Sequence, residues 1–191
     1  RKVKAQADEF RRVHGDYVLI NSNFGSINPR VEDTYAYYSA CIQVGVITED
    51  EPKDRADFLE WCGWERANLD LLTEVIGSYL DRPKVPRLII RPHPSENAEK
   101  WRKAYQGVAK VSIIREGDHL AWTAAANLLI HTGCTTGTEA VILGTPALSL
   151  KGGDSDWHRV PTSNHVNQTS DSVESALNLV SAHLAGGSLC R

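Results

Sequence analysis

Short apolar runs alternate with longer amphipathic stretches along most of the chain. The runs contain four or five residues and lead into turn-forming residues, which is typical of strands buried on both faces of a parallel sheet. Strands are predicted over residues 17–20, 87–90, 111–114, 127–130 and 146–150.

The amphipathic stretches predict helices between these strands. The clearest covers 57–80, where apolar residues recur at three- or four-residue spacing and Pro83 follows. Residues 1–15 are predicted to be a linker or a lead-in helix. Further helices are predicted over 30–46, 95–105 (capped by Ser95), 118–126 (capped by Asp118), 138–143 and 172–184.

This alternation of strands and helices predicts an α/β fold, namely a Rossmann-like three-layer domain with helices on both faces of a parallel sheet. A chain of 191 residues, with 41% hydrophobic and 24% charged residues, is long enough for one domain with a sizeable core and short for two. We therefore assign residues 16–191 to a single domain.

Charge and cysteine content exclude several classes of protein. A formal net charge of −3 argues against broad electrostatic binding to nucleic acid. No apolar run approaches the length of a membrane span, so we expect no integral membrane segment. The cysteines are too widely spaced for a zinc ribbon or a redox motif, and we expect reduced thiols and no metal site. They are Cys41, Cys62, Cys134 and Cys190.

Three loops are predicted at the carboxyl edge of the sheet, where parallel α/β domains bind ligands. They cover residues 21–25, 91–96 and 131–138, which are also the stretches of most unusual composition. We expect them to converge on one crevice. In the first loop Asn23 is the candidate ligand-binding residue, although such residues commonly form turns after a strand.

The third loop belongs to a stretch of small residues from His131 to Ala140, here called the Gly-rich segment. Its glycines would let the backbone approach a ligand, and the free N–H groups that open the following helix would bind phosphate. Glu139, one turn into that helix, is placed to accept hydrogen bonds from a ribose. The alternative is a tight strand-to-helix turn in which threonine and glutamate serve as caps.

Arg91 and His93 alternate with two prolines at the end of a predicted strand. The prolines make this loop rigid and remove competing N–H donors, so both side chains would project from the strand end. The alternative for His93 is a structural histidine in a proline-rigid turn. If His93 and His131 flank a phosphate, both imidazoles should open into one crevice, and their pKa values should rise when nucleotide binds.

The segment from His131 to Pro146 follows the pattern H-x-G-x-x-[ST]-x-x-E-A-x-x-x-G-x-P, which resembles the donor-binding motif of GT-B glycosyltransferases. The preceding His93-Pro94 pair narrows the resemblance to bacterial transferases that use CMP-activated sugars, such as sialyltransferases and Kdo transferases. It also resembles the glycerophosphotransferases that build wall teichoic acid. The sequences of residues 91–96 and 131–140 are most similar to those of proteins described as surface carbohydrate biosynthesis proteins.

This resemblance implies that the chain is the carboxyl-terminal, nucleotide-sugar-binding half of a GT-B architecture. His93 and His131 would be the catalytic residues, because they would stabilise negative charge on the departing phosphate. Glu139 would hold the ribose. The implied nucleotide-binding residues are Arg91, Gly133, Thr135, Thr136, Gly137, Thr138, Glu139 and Asn23.

The resemblance also implies the partners. The substrate would be a nucleotide sugar, with a CMP-sugar favoured, and the acceptor a glycan or a lipid-linked glycan. An amino-terminal GT-B domain, missing from this sequence, would supply the acceptor site and the acidic general base. The resemblance implies catalysis that needs no metal or other cofactor, although the chain contains one D-x-D triplet, Asp154-Ser155-Asp156. The expected location is the cytoplasm, with peripheral attachment at the inner face of the membrane as a variant.

Three other functions fit the same sequence. A sugar-nucleotide epimerase of the UDP-GlcNAc 2-epimerase type shares this fold and a similar Gly-rich-to-Glu segment, but it needs acid and base carboxylates in the cleft. A glycerophosphotransferase would share the His-Pro and hydroxyl motifs. A non-catalytic nucleotide-binding module would need neither a base nor an acceptor site.

Overall fold

The computed structural model describes residues 1–186, which form a three-layer, Rossmann-like α/β unit. Six parallel strands form one sheet in the order β3-β2-β1-β4-β5-β6. This order confirms the predicted fold class. The strands are β1 Tyr17–Asn21, β2 Arg87–Arg91, β3 Val111–Ile113, β4 Leu128–His131, β5 Ala147–Leu150 and β6 Gln168–Ser170.

Within residues 1–186, eight α-helices connect and cover the strands, and one 3-10 helix spans Asp156–Arg159. Within the described part of the chain, no helix combines the length and the apolar character needed to cross a membrane. The helices are α1 Lys2–His14, α2 Thr34–Gln43, α3 Pro52–Leu80, α4 Ala98–Ala104, α5 His119–Ala125, α6 Thr136–Leu143, α7 Ser163–Val166 and α8 Val173–Leu184.

Side chains that alternate along each strand divide the core into two clusters. Val18 and Ile20 pack with α3, α4 and α8 on one face of the sheet, whereas Tyr17 and Leu19 pack with α1, α5 and α6 on the other. Burial on both faces explains why the strands are almost continuously apolar. Polar residues end three of the strands where the loops begin, namely Asn21, Arg91 and His131.

The lead-in residues form α1, which packs against α5 and is part of the three-layer unit. Phe10 stacks on Trp122 with ring centroids 4.0 Å apart. The guanidinium of Arg11 donates a hydrogen bond of 3.2 Å to the carbonyl of Ala125 at the end of α5. The structure therefore supports the helix alternative for residues 1–15 and not the linker.

Several details differ from the sequence-based expectations, among them the start of α3, which is at Pro52 and not at residue 57. Helix α4 is capped by Asn97, whose side chain accepts from the N–H of Glu99, and not by Ser95. Helix α6 begins at Thr136, two residues before the expected start. Strand β6 was not predicted, because its residues Gln168–Ser170 are polar and lie at the edge of the sheet. By contrast, Asp118 caps α5 as expected and accepts from the N–H of Leu120.

Candidate functional site

A cleft of about 450 Å³ lies at the carboxyl ends of β1, β2 and β4. This is the point where the strand order reverses, since β1 has β2 on one side and β4 on the other. Open α/β sheets bind ligands at such a point. The lining residues are Asn21, Ser22, Arg91, Pro92, His93, Pro94, Arg115, Gly117, Asp118, His119, Cys134, Thr135 and Thr136.

The three predicted loops therefore converge on one cleft, and a fourth joins them. Sequence reasoning missed the segment from Arg115 to His119, which follows β3 and leads into α5. The sequence could have predicted this loop at the cleft, because β3 is also a parallel strand and its carboxyl end meets the same edge of the sheet. This fourth loop brings three further ionisable side chains to the cleft, those of Arg115, Asp118 and His119.

One wall of the cleft is the amino-terminal end of α6. Within residues 1–186, no protein acceptor binds the N–H groups of Cys134, Thr135 and Thr136, and Thr135 makes no side-chain capping bond. The hydroxyl of Thr136 and the side-chain oxygen of Asn21 are both buried without a hydrogen-bond partner in this part of the chain. Buried polar atoms seldom stay unpaired, so these atoms and the free N–H groups indicate a polar ligand.

Arg115 and His119 also line the cleft. Arg115 is half-buried, and its guanidinium donates to the carbonyl of Pro94 at 3.2 Å, which links the β3 and β2 loops. His119 follows the cap of α5, and 52% of its side chain is exposed. An anion at the start of α6 would meet positive potential from the helix dipole and from the guanidinium of Arg115.

His93 is exposed at the mouth of the cleft. The N–H of Ser95 donates to its Nδ1 at 3.2 Å, and the hydroxyl of Ser95 lies 2.7 Å from the same atom. The neutral ring therefore carries its proton on Nε2. Partial burial lowers the pKa of His93, nearby Glu96 raises it, and Arg115 lowers it. The expected rise on nucleotide binding stays a prediction.

Arg91 lines the cleft, but its guanidinium is already engaged by the protein. It donates to the carbonyls of Glu116 at 2.7 Å and of Arg115 and Gly117 at 3.2 Å, and it lies over the ring of Trp122 at 5.5 Å. Burial lowers its pKa to about 10, so it stays charged at neutral pH. Arg91 therefore holds the fourth loop in place, and this loop accepts three of the hydrogen bonds that its guanidinium can donate.

The expectation that His131 opens into the cleft is wrong. Its side chain is on the face covered by α6 and is only 1% exposed. Its Nδ1 accepts from the N–H of Gly133 at 3.1 Å, and its Nε2 lies 3.0 Å from Nδ2 of Asn167. Burial lowers its pKa to about 3, with a smaller effect of His158, so the ring is neutral. His131 therefore packs under α6 and holds the Gly-rich segment through the N–H of Gly133. Its neutral ring cannot stabilise a phosphate by charge.

The two glycines of the Gly-rich segment approach protein atoms, and not the ligand as we expected. A Cβ atom on Gly137 would lie 2.3 Å from Nε2 of His131, so α6 can rest on β4 only with glycine there. Gly133 has φ of +107°, and a Cβ atom on it would lie 2.9 Å from Cγ of Pro161 and 3.1 Å from the ring of Trp64. Glycine is required at both positions by packing and, at Gly133, also by backbone conformation.

The remaining candidates divide between the cleft and its surroundings. Thr135 and Thr136 line the cleft, whereas Thr138 lies in the first turn of α6, where its N–H donates to the carbonyl of Thr135 at 2.9 Å. Asn23 does not line the cleft, and Asn21, the last residue of β1, takes the place expected for it.

Glu139 stands beside the cleft. One of its carboxylate oxygens lies 3.3 Å from Nε2 of His119, which does line the cleft. The side chain is 32% exposed. A ribose that displaced this histidine, or bound next to it, would be within reach of the carboxylate.

Comparisons with known proteins add no assignment. No protein-family model matches the chain, and no curated protein sequence matches it.

Proposed function

We propose that this chain is the donor-binding half of a GT-B glycosyltransferase and that its cleft holds the phosphate and ribose of a nucleotide sugar, with a CMP-sugar favoured. One observation carries the proposal. Within residues 1–186, the unbonded N–H groups at the start of α6 and the unpaired Thr136 hydroxyl belong to residues that line the same cleft as His93 and Arg115. An anionic ligand satisfies all of these groups together.

The chemistry proposed for this half is electrostatic. An acceptor hydroxyl attacks the anomeric carbon, and the nucleotide phosphate leaves with an increased negative charge. The helix dipole, the free N–H groups and the side chains of His93 and Arg115 stabilise that charge. The acceptor, a glycan or lipid-linked glycan, and the general base belong to the amino-terminal domain of the proposed enzyme.

The epimerase alternative receives less support from the cleft. An epimerase needs carboxylates that act as acid and base near the sugar. In the described part of the chain, Asp118 is the one carboxylate among the lining residues, and its side chain caps α5 by accepting from Leu120. A glycerophosphotransferase would share the pairing of His93 with the hydroxyls of the Gly-rich segment. Its chemistry is therefore closer to that of the proposed enzyme than the chemistry of an epimerase is.

Titration of nucleotides against the purified chain tests the proposal. We expect CMP to bind more tightly than UDP in isothermal calorimetry, because the His-Pro and hydroxyl motifs resemble those of CMP-sugar enzymes. Inorganic phosphate serves as the weak reference ligand. Equal or tighter binding of UDP would remove the CMP preference and retain the nucleotide site, whereas no binding of CMP, CDP or UDP would contradict the proposed function.

Glu139→Ala should weaken CMP binding by about 1.5–3 kcal/mol, because it removes hydrogen bonds between the ribose and a charged acceptor. Binding of inorganic phosphate, which has no ribose, should stay unchanged. Glu174→Ala is the matched control, since Glu174 occupies the first turn of α8 as Glu139 occupies that of α6. If Glu139→Ala lowers stability but leaves the CMP affinity of the folded protein intact, Glu139 acts only as a helix-terminal charge.

A further inference from the structure

Glu96 lies at the centre of a buried hydrogen-bond network behind the cleft. The residue is fully buried, with 0% exposure, and its carboxylate accepts four hydrogen bonds from protein donors. Oε1 accepts from the hydroxyl of Ser22 at 2.7 Å and from the N–H of His93 at 2.9 Å. Oε2 accepts from Nε1 of Trp101 at 2.8 Å and from Nδ2 of Asn28 at 3.3 Å. The carboxylate thus binds donors from two loops of the cleft and from α4.

The backbone of the same two loops is also joined. The N–H of Arg30 donates to the carbonyl of Ser95 at 2.8 Å, and the N–H of Asn97 donates to that of Asn28 at 2.9 Å. Gly25 allows this approach, because a Cβ atom there would lie 2.4 Å from Oγ of Ser95. The His93 loop is therefore attached to the β1 loop along its whole length, with Glu96 at the point of contact.

The charge of Glu96 is balanced by hydrogen bonds and not by an ion pair. Among the described residues, none of the salt bridges includes its carboxylate. Hydrogen bonds can offset the loss of hydration of a buried carboxylate in place of a cation. Its negative charge then lies next to the backbone of His93, on the side away from the cleft.

We propose that Glu96 is a positioning residue, whose carboxylate fixes the His93 loop against the β1 loop and presents negative charge behind the imidazole. Two charged groups act on that imidazole: Glu96 belongs to its own loop, and Arg115 approaches from the β3 loop. His119 of α5 lines the same cleft and lies 3.3 Å from the carboxylate of Glu139 on α6. The functional meaning rests on the proposed nucleotide site, in which a protonated His93 binds the phosphate.

Ser95 offers a partner for Nδ1 of His93 in both protonation states. In the neutral ring Nδ1 accepts from the N–H of Ser95. In the protonated ring that hydrogen bond is lost, and Nδ1 can donate its proton to the hydroxyl of Ser95, 2.7 Å away. In both states Nε2–H is available to a ligand. Glu96 favours the protonated state by its charge, and Arg115 opposes it.

Titration of His93 by NMR in the nucleotide-free protein tests this role. The resonance is assigned by its loss in His93→Gln. In Glu96→Gln the pKa of His93 should fall below that of the wild type, because the negative charge is gone. Glu99→Gln is the matched control, since Glu99 is exposed on α4 and should leave the titration unchanged. A purely structural role for Glu96 would leave the pKa of His93 where it is.

Trp101→Phe gives a second test, in which the pKa of His93 is expected to shift in the opposite direction. This variant tests the role of Glu96 if Glu96→Gln does not fold. The change removes the donor at 2.8 Å from Oε2 and keeps the charge. A carboxylate with one donor fewer is less neutralised, so the pKa of His93 should rise. An unchanged titration in Trp101→Phe, or a fall, overturns the proposal.

CMP binding separates this inference from the proposed function. At pH 6 the affinity for CMP should be roughly tenfold weaker in Glu96→Gln than in the wild type, as for the loss of one charge-assisted hydrogen bond. At pH 8, where His93 is neutral in both proteins, the affinities should agree. If the wild type binds no CMP but His93 titrates as expected, only the proposed function fails. If CMP binds and the pKa of His93 is the same in both variants as in the wild type, only the inference about Glu96 fails.

Discussion

Gly137→Ala is expected to lower the free energy of unfolding by about 3 kcal/mol, which is at the upper end of overpacking effects. The added methyl group would lie 2.3 Å from Nε2 of His131 and 2.6 Å from Nδ2 of Asn167. Both side chains are buried and hydrogen-bonded, so neither can withdraw. Helix α6 must therefore move away from β4, and the N–H groups that line the cleft move with it. CMP affinity should fall in the same variant.

Urea unfolding monitored by circular dichroism measures this effect, and Gly77→Ala is the matched control. Gly77 is exposed in the last turn of α3, where a Cβ atom would meet nothing within 4 Å. Alanine there should raise the free energy of unfolding by up to about 1 kcal/mol through its higher helix propensity. Should both variants be stabilised, α6 does not rest on His131 as the structure has it.

Glu65 should make the protein less stable as the pH rises from about 4 to 8. This glutamate of α3 is 2% exposed, and burial raises its pKa from 4.5 to about 7, although hydrogen bonds from Trp61, Ser26 and Ile27 lower it. The folded state binds the proton more tightly than the unfolded state, so the stabilisation is complete below pH 4.5 and is lost as the pH passes 7. The raised pKa corresponds to about 3 kcal/mol.

The difference in unfolding free energy between the wild type and Glu65→Gln isolates this contribution, because the other titrating groups cancel. The wild type should lose about 3 kcal/mol relative to the variant between pH 4 and pH 8. Glu74→Gln, an exposed change on the same helix, should give a flat difference. A flat difference for Glu65→Gln as well would show that Glu65 titrates normally in the folded protein.

The general position of the candidate site follows from the sequence, because strand positions and parallel topology are local and periodic properties. Apolar runs located the first five strands to within two residues at each end, and their carboxyl ends had to meet at one edge of the sheet. Asp118 was recognised as a helix cap because capping depends on only a few neighbouring residues. Polar strand β6 has no such pattern and was missed.

The role of each polar side chain could not be predicted in the same way. Both His93 and His131 lie at strand ends in the sequence, yet one is exposed at the mouth of the cleft and the other is buried under α6. The difference depends on Asn167, which is 36 residues from His131 and contacts its ring. Likewise, Glu65 and Glu96 resemble surface glutamates until their distant hydrogen-bond donors are known.

The sequence by itself determined the three-layer class, the edge of the sheet that carries the site and the identity of most loops around it. Hydrophobic periodicity and parallel connection are enough for those conclusions. Only the tertiary structure decided that Gly137 packs on His131, that Arg91 holds the loop of Arg115, and that the carboxylate of Glu96 lies behind His93. These contacts join residues from separate strands and helices, and whether a polar group is buried or open depends on which element covers it.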